Sequence, residues 1–246
     1  MKHITISEFQ KGLRGKHWLL FALFLLVVIF LLWKNTSSSR EMTVDPSDIL
    51  NPQSIVLATP SDSTLSSDEE KDILWVREEE KLARDVYQTL YDRWQVPIFS
   101  NIAQSESTHM ATMGLLIEKY HLADPVKDDA RGSFSNPEFQ TLYQDLVAKG
   151  NTSLEAALTV GATIEDLDIR DIEEALKRTD KQDIRNAYAN LSRGSRNHMR
   201  AFNRQLTQKA GQPYSAQYIS QAQLDAILSQ SQETGNGGGQ GRNSHQ

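Results

Sequence analysis

The order of four long helical segments is the feature that most constrains how this chain can fold. Apolar residues recur at helical spacing, and residues that start or stop helices divide this pattern into segments. The long helices are predicted at 67–94, 97–120, 153–178 and 180–210, with Ser67, Ser153 and Asp180 as the caps of the first, third and fourth. A short loop joins the first two, and little more than Thr179 separates the last two. Each pair is therefore predicted to form an antiparallel hairpin.

The connection between the two hairpins carries a helix of its own. Asn136 is a favourable N-cap, Pro137 suits the first helical position, and Gly150 ends the segment. A connection of roughly 30 residues suits a crossover that spans the length of a helix bundle. The predicted fold class is therefore all-α, a ferritin-like four-helix bundle with a short helix in its long crossover. A further small helix is predicted near residues 220–229, and no β-hairpin signal is present.

An apolar run precedes the helical region. Residues 18–33, WLLFALFLLVVIFLLW, contain no charge. As a helix the run covers roughly 24 Å, short of the ~30 Å hydrocarbon core, but its terminal tryptophans and the flanking lysines allow it to span. Because more basic residues precede the run than follow it, residues 1–17 are predicted to be cytoplasmic and 18–34 to be a single transmembrane anchor. A cleaved signal peptide is the alternative.

Two other segments have the composition of unfolded chain. Residues 35–66 are rich in Ser, Thr, Pro and Asp and are predicted to be a flexible linker, and residues 231–246 are rich in Gly and Gln and are predicted to be a disordered tail. The bundle is accordingly predicted at 67–230, outside the cytoplasm, in the periplasm or the extracellular space. A net charge of −6 without a long basic run argues against a nucleic-acid partner.

The absence of cysteine limits the chemistry open to this chain. With no cysteine there can be no thiolate metal site and no iron–sulfur cluster. Any metal ion must be bound by His, Asp and Glu side chains, and these ligands favour iron, manganese or zinc.

Acidic and imidazole side chains lie in the middle of otherwise apolar helix faces. Burying an unpaired carboxylate costs several kcal/mol, so these groups need partners, and cations are the natural ones. Glu106 and His109 are three residues apart on one helix and can bind one ion or two adjacent ions. The predicted metal ligands, drawn from all four long helices, are Glu80, Glu106, His109, Glu165, Asp168 and His198.

Two of these ligands have simple structural alternatives. His109 could be a core histidine that is hydrogen-bonded to Glu106. Glu80 belongs to the acidic run REEEK and could be solvated, with Glu78 or Glu79 facing inward in its place. The sequence leaves both alternatives open.

Two aspartates and two glycines are also open to more than one interpretation. Asp168 and Asp171 could lie on the surface or act as cap partners instead of facing the bundle interior. Gly161 and Gly194 lie inside helices, where each costs about 1 kcal/mol relative to alanine. Close approach of two helices is one reason for such a glycine, and room for a ligand is the other.

Four separated motifs resemble the DUF2202 family. They are EKLARDVY (80–87), FSNIAQSESTHM (99–110), ALTVGATIEDLDIRDIEEAL (157–176) and GSRNHMRAF (194–202). The resemblance covers roughly residues 70–228. The family is ferritin-like and more distantly similar to rubrerythrins and other di-iron carboxylate proteins. The resemblance therefore implies a metal centre inside a four-helix bundle.

The fourth long helix departs from the di-iron pattern. Di-iron proteins commonly carry a second glutamate three residues before the histidine of this helix, and this chain has Ser195 at that position before His198. With only Glu80, Glu106 and Glu165, two divalent ions would keep a net charge of +1. Asp168 could supply a fourth carboxylate if it faces inward. Otherwise water or hydroxide fills the gap, or only one metal ion binds.

The resemblance implies a membrane-anchored protein with a dinuclear iron or manganese centre that oxidises Fe(II) or reduces O₂ or peroxide. The main alternative is a non-catalytic interaction module with a degenerate site, which the Ser195 departure favours. A metal-binding or sensing protein without turnover is the third. Tyr87 and Tyr188 are interpreted as core aromatics, with a redox or supporting role as the alternative. A homodimer through one bundle face is compatible with the sequence.

Overall fold

Six α-helices make up residues 64–234, the part of the chain that this computed structural model describes, and no strand is found there. The all-α prediction is confirmed for this part. The predicted anchor at 18–34 and most of the predicted linker lie outside the described residues. Within 64–234 no helix is long and apolar enough to cross a membrane. The helices are α1 (Ser67–Trp94), α2 (Pro97–Lys119), α3 (Pro137–Gly150), α4 (Leu154–Leu176), α5 (Gln182–Ala210) and α6 (Gln221–Ser229).

Local capping groups fix where several helices begin. Ser66 caps α1: its hydroxyl accepts the Glu69 N–H at 3.2 Å, and the Glu69 carboxylate accepts the Ser66 N–H at 2.8 Å. This reciprocal capping box begins one residue before the predicted cap, Ser67. Ser153 caps α4 as predicted, by accepting the N–H of Ala156. The short helix α3 begins after Asn136, also as predicted.

The start of α5 differs from the prediction. Asp180 was expected to cap it, but the capping position is Lys181, which makes no side-chain cap bond. The hydroxyl of Thr179 accepts the Lys181 N–H at 3.2 Å instead. The loop between α4 and α5 thus satisfies the N–H of the capping residue itself, not an N–H of the first helical turn.

The four long helices pack as two antiparallel hairpins that form an all-helical bundle. Helix α1 packs along α2, and α4 packs along α5; the hairpins meet through α1 with α4 and α2 with α5. Helix α3 lies against α1 and α4, and α6 contacts α5. Two apolar clusters fill the interior, one around Leu82, Val86 and Phe202, the other around Ile73, Met113 and Leu191. A layer of polar side chains separates these clusters along the bundle.

Charged residues on the outer side of α1 hold the crossover against the bundle. The fully buried Lys81 donates to Asp85 at 2.5 Å, and Asp85 also accepts the N–H of Gly132 at 2.9 Å. Glu78 accepts the N–H of Ser135 at 2.7 Å. Because Glu78, Lys81 and Asp85 each have a partner, the crossover can cover them without leaving these charges unpaired.

A buried aspartate on α4 anchors the segment that follows α5. Asp166 is fully buried and accepts hydrogen bonds from the Tyr214 hydroxyl and from the backbone N–H groups of Gln217, Tyr218 and Ile219. These four bonds dock residues 214–219 on α4. Asp166 is therefore a structural residue, although it follows a predicted metal ligand in the sequence.

Candidate metal centre

The polar layer between the two apolar clusters contains every predicted metal ligand. Each of the six is at most 5% exposed, and the solvated alternative for Glu80 is wrong because that residue is 1% exposed. Helix α1 contributes one ligand, α2 two, α4 two and α5 one, and these side chains are Glu80, Glu106, His109, Glu165, Asp168 and His198.

Glu106 lies between the two histidines. Its Oε1 is 2.9 Å from Nδ1 of His198, and its Oε2 is 2.7 Å from Nδ1 of His109. The two imidazole centroids are 5.8 Å apart. Because each carboxylate oxygen faces a different imidazole, Glu106 has the geometry of a ligand shared between two ions.

Five of the six predicted ligands form two groups that share Glu106, and Asp168 belongs to neither group. In the His109 subsite, composed of Glu80, Glu106 and His109, Oε2 of Glu80 lies 3.2 Å from Nδ1 of the histidine. In the His198 subsite, composed of Glu106, Glu165 and His198, Oε2 of Glu165 lies 3.3 Å from Nδ1 of the histidine. Within each subsite the ligand atoms all lie within 4.8 Å of one another, so each group could hold a metal ion.

Asp168 faces inward, and Ser195 on the neighbouring helix holds it there. The Ser195 hydroxyl donates a short hydrogen bond to Oδ2 of Asp168, and Oδ1 has no partner among the described residues. The surface alternative for Asp168 is therefore wrong. With Glu80, Glu106 and Glu165, Asp168 gives the predicted ligand set four carboxylates, which matches the charge of two divalent cations.

Several ligand groups have strongly displaced pKa values. Burial and the charge of Glu165 raise the pKa of Asp168 to about 8. Burial would raise the pKa of Glu106 as well, but the charges of His198 and His109 hold it well below its usual range. Burial would lower the pKa of His198, yet Glu106 and Glu165 raise it to about 9. The cluster thus retains protons that offset its buried negative charge, and a bound cation would replace them.

Unpartnered polar atoms test whether these residues suit a metal ion. Glu80 Oε1, Glu106 Oε1, Asp168 Oδ1 and His198 Nδ1 are buried without a hydrogen-bond partner among residues 64–234. His198 Nδ1 and Glu106 Oε1 are close, but they are not aligned for a hydrogen bond. Each such atom costs about 1–3 kcal/mol when it is left unsatisfied. Oxygen and imidazole nitrogen donors of this kind fit iron, manganese or zinc, and their division between two groups fits two ions.

Two hydroxyl groups orient ligands of the centre. The Tyr87 hydroxyl donates to Oε1 of Glu165 at 2.5 Å, and the Ser105 hydroxyl lies 3.1 Å from Nε2 of His198. Groups of this kind set the orientation and tautomer of metal-binding side chains. Tyr87 lies in one of the motifs that resemble the DUF2202 family, whereas no role for Ser105 is predicted from the sequence. Nothing in the sequence separates its hydroxyl from that of Ser107 nearby.

The two helix glycines make room for side chains from other helices. A Cβ on Gly194 would lie 2.6 Å from Cε1 and Nε2 of His109, so the ring fits only because that Cβ is absent. A Cβ on Gly161 would collide with the ring of Phe202. Gly194 therefore serves the centre, and Gly161 serves the packing of the core.

The remaining acids of this region are not ligands in either subsite. Glu79 is 1% exposed, and both its oxygens lack partners among the described residues; burial and the charges of Asp168 and Asp171 raise its pKa well above the usual range. Asp171 accepts the Trp75 indole N–H at 3.1 Å and the Arg170 guanidinium at 2.6 Å. Asp171 is thus a structural residue.

The fold and the site define an all-helical protein with a buried carboxylate and histidine cluster that can hold metal ions. The chain belongs to the DUF2202 family, described as an uncharacterized protein domain, which matches residues 69–231. It is 54% identical over 171 residues to uncharacterized protein MJ0754 of Methanocaldococcus jannaschii, covering 70% of this chain and 92% of that protein. The crystal structure of hypothetical protein MJ0754 from Methanococcus jannaschii DSM 2661 is similar, with a TM-score of 0.70, 52% identity, and coverage of 71% of this chain and 99% of that one. The predicted membership of the DUF2202 family is confirmed.

Proposed function

We propose that this protein is a ferritin-like protein whose four-helix bundle holds a dinuclear iron or manganese centre. The observation that carries the proposal is Glu106, whose two carboxylate oxygens face two different histidines at 2.9 and 2.7 Å. The two hairpins joined by a long crossover support the ferritin-like assignment.

The ligands divide between the two ions as the subsites do. Glu80 and His109 would hold one ion, Glu165 and His198 would hold the other, and Glu106 would bridge them. Asp168 adds the fourth carboxylate, so the charges of two divalent ions and their ligands sum to zero. A neutral centre can be buried without the large cost of an uncompensated charge.

The proposed activity is oxidation of Fe(II) or reduction of O₂ or peroxide. A pair of Fe(II) or Mn(II) ions held by these residues would make two electrons available, the number that converts one hydrogen peroxide and two protons into two waters. The apolar clusters above and below the layer exclude bulk water, and they contain the fully buried Phe202 and Met113. Tyr87 and Ser105 hold ligands in place.

Metal analysis of the full-length protein tests this function. Protein loaded with Fe(II) without oxygen and then desalted is expected to retain close to two ions per chain, and addition of peroxide is expected to oxidise them. Elemental analysis and the absorbance of Fe(III) give the two measurements. A chain that retains no ion would instead be the non-catalytic module. Two retained ions that peroxide leaves reduced would indicate metal binding without turnover.

We further propose that residues 18–34 anchor the protein in the cell membrane, with the bundle outside the cytoplasm. The support is the uncharged apolar run and the excess of basic residues before it. Because the chain has no cysteine, single cysteines can report its topology. Ser244→Cys is expected to react with a membrane-impermeant maleimide in intact cells, and Ser7→Cys only after lysis. The reverse pattern would contradict this orientation, and loss of Ser7→Cys from the mature protein would indicate a cleaved signal peptide.

A further inference from the structure

The two subsites have the same number and types of ligands but differ in how these ligands are held. Each contains two glutamates and one histidine, and Glu106 belongs to both. The comparison therefore rests on the residues that are not shared, which are Glu165 and His198 in one subsite and Glu80 and His109 in the other.

The histidine of the His198 subsite has a partner for its outer nitrogen. Nε2 of His198 lies 3.1 Å from the Ser105 hydroxyl, and Ser105 is only 3% exposed. When Nε2–H donates to this hydroxyl, the lone pair stays on Nδ1, the atom that faces Glu106 and Glu165. The Ser105 contact therefore fixes the ring orientation, with Nδ1 directed at the subsite, before an ion arrives.

The glutamate of the His198 subsite is also held. The fully buried Tyr87 donates to Oε1 of Glu165 at 2.5 Å. This bond leaves Oε2, the oxygen 3.3 Å from Nδ1 of His198, as the one presented to an ion. The carboxylate thus has one oxygen committed to the protein and one directed at the subsite.

The hydrogen bond shown for the two unshared ligands of the His109 subsite joins them to each other. Oε2 of Glu80 lies 3.2 Å from Nδ1 of His109, and Oε1 of Glu80 has no partner among the described residues. The outer edge of the His109 ring lies against the backbone of Gly194. Van der Waals contact with a glycine limits the ring position, but it is less directional than a hydrogen bond.

We propose that Ser105 and Tyr87 are positioning residues that make the His198 subsite the tighter of the two, so that it takes the first metal ion and the His109 subsite takes a second, more readily exchanged ion. This inference rests on the dinuclear centre proposed above. Its physical basis is that ligands already fixed in their binding geometry lose less freedom when the ion binds. Removing such supporting partners typically costs about 10–100-fold in metal affinity.

Titration of the full-length protein with Mn(II), followed by electron paramagnetic resonance, tests the order of binding. The wild-type protein is expected to bind in two steps separated by about 10–100-fold, the range typical of lost supporting contacts. The first equivalent should give the spectrum of an isolated Mn(II), and the second should give the spectrum of a spin-coupled pair. Ser105→Ala and Tyr87→Phe are each expected to weaken the first step by about 10-fold or more. Coupled pairs should then appear before the first equivalent has been added.

Matched controls separate positioning from general loss of a hydroxyl group. The Ser107 hydroxyl donates to the Ala103 carbonyl of its own helix, and the buried Tyr188 hydroxyl has no partner among the described residues. Ser107→Ala and Tyr188→Phe are therefore expected to leave both steps within about twofold of wild type, since neither hydroxyl touches a ligand. Circular dichroism checks that each variant is folded.

Histidine variants assign the steps to the subsites. His109→Ala is expected to keep the tight step and lose the weak one, and His198→Ala is expected to do the reverse. Two equal steps in the wild-type protein, or a first step unchanged in folded Ser105→Ala and Tyr87→Phe, would overturn the inference while leaving the dinuclear centre intact. Absence of any Mn(II) and Fe(II) binding by the wild-type protein would instead overturn the proposed function.

Discussion

Replacing Glu106 by glutamine is expected to remove both metal ions from the centre. Glutamine keeps the size of the side chain but loses its negative charge, and its amide group offers one oxygen where the carboxylate offers two. Because Glu106 faces His109 and His198 at once, each subsite loses a ligand. The loss of affinity should exceed the roughly 10–100-fold typical of residues that only orient ligands. Elemental analysis should therefore show that the metal content falls from about two ions per chain to nearly none, because both subsites lose the same ligand.

A second glutamate on α2 provides the control for this substitution. Glu118 is exposed near the end of the same helix, so Glu118→Gln changes the net charge equally without touching the centre. This variant should retain both ions. If folded Glu106→Gln also retained two, Glu106 would not be the shared ligand, and the dinuclear arrangement would lose the observation on which it rests.

The helix order could be predicted because it depends on local signals. Asn136, Pro137 and Gly150 bound the crossover helix in the structure as they do in the sequence. The cap of α1 is one residue earlier than predicted, because the spacing of three that the reciprocal bond requires fits Ser66 with Glu69 and Ser67 with Glu70 equally well. The start of α5 was harder to predict, because the Lys181 N–H is satisfied by a hydroxyl from the preceding loop.

The burial of α1 shows what a single helix cannot reveal about its neighbours. Residues 78–87 are buried without interruption, so this stretch has no solvent-facing side. The crossover covers the outer face, and Lys81 and Asp85 hold it there. Helical periodicity alone predicts one inward face, and it therefore could not show that Glu78, Glu79 and Glu80 are all buried.

Residues whose role depends on a neighbouring helix were the hardest to assign within the centre. Glu106 and His109 could be predicted because they share one helix face. Asp168 lies three residues after Glu165, about 60° from it around the helix axis. Whether its side chain faces the bundle interior therefore depends on contacts with a neighbouring helix. It meets Ser195 on α5, and Ser105 meets His198 in the same way. Contacts between helices of this kind are not encoded in the spacing of either segment.

The fourth carboxylate, which balances the charge of two divalent ions, is expected to function when it is placed on α5 instead of α4. Asp168→Ser alone is expected to reduce metal content from about two ions to about one, because three carboxylates leave the second divalent ion with an uncompensated buried charge. The Ser195 hydroxyl contacts the Asp168 carboxylate directly. A glutamate at position 195 would therefore place its carboxylate, one bond beyond that hydroxyl, close to where the aspartate carboxylate lies. The combined variant, Asp168→Ser with Ser195→Glu, is expected to recover about two ions, since it restores the fourth charge.

The single and control variants make the relocation specific. Ser195→Glu alone puts two carboxylates in one buried place, so it should lower the thermal stability and bind no additional ion. Asp171→Ser removes the acid one turn further along α4, which is bonded to Trp75 and Arg170 and takes no part in either subsite, so two ions should remain. Elemental analysis and the spin-coupled Mn(II) spectrum measure each result. Two ions in Asp168→Ser, or no recovery in a folded combined variant, would show that Asp168 does not supply the missing charge. Recovery would show that the centre requires a fourth negative charge at this point and that either helix can provide it.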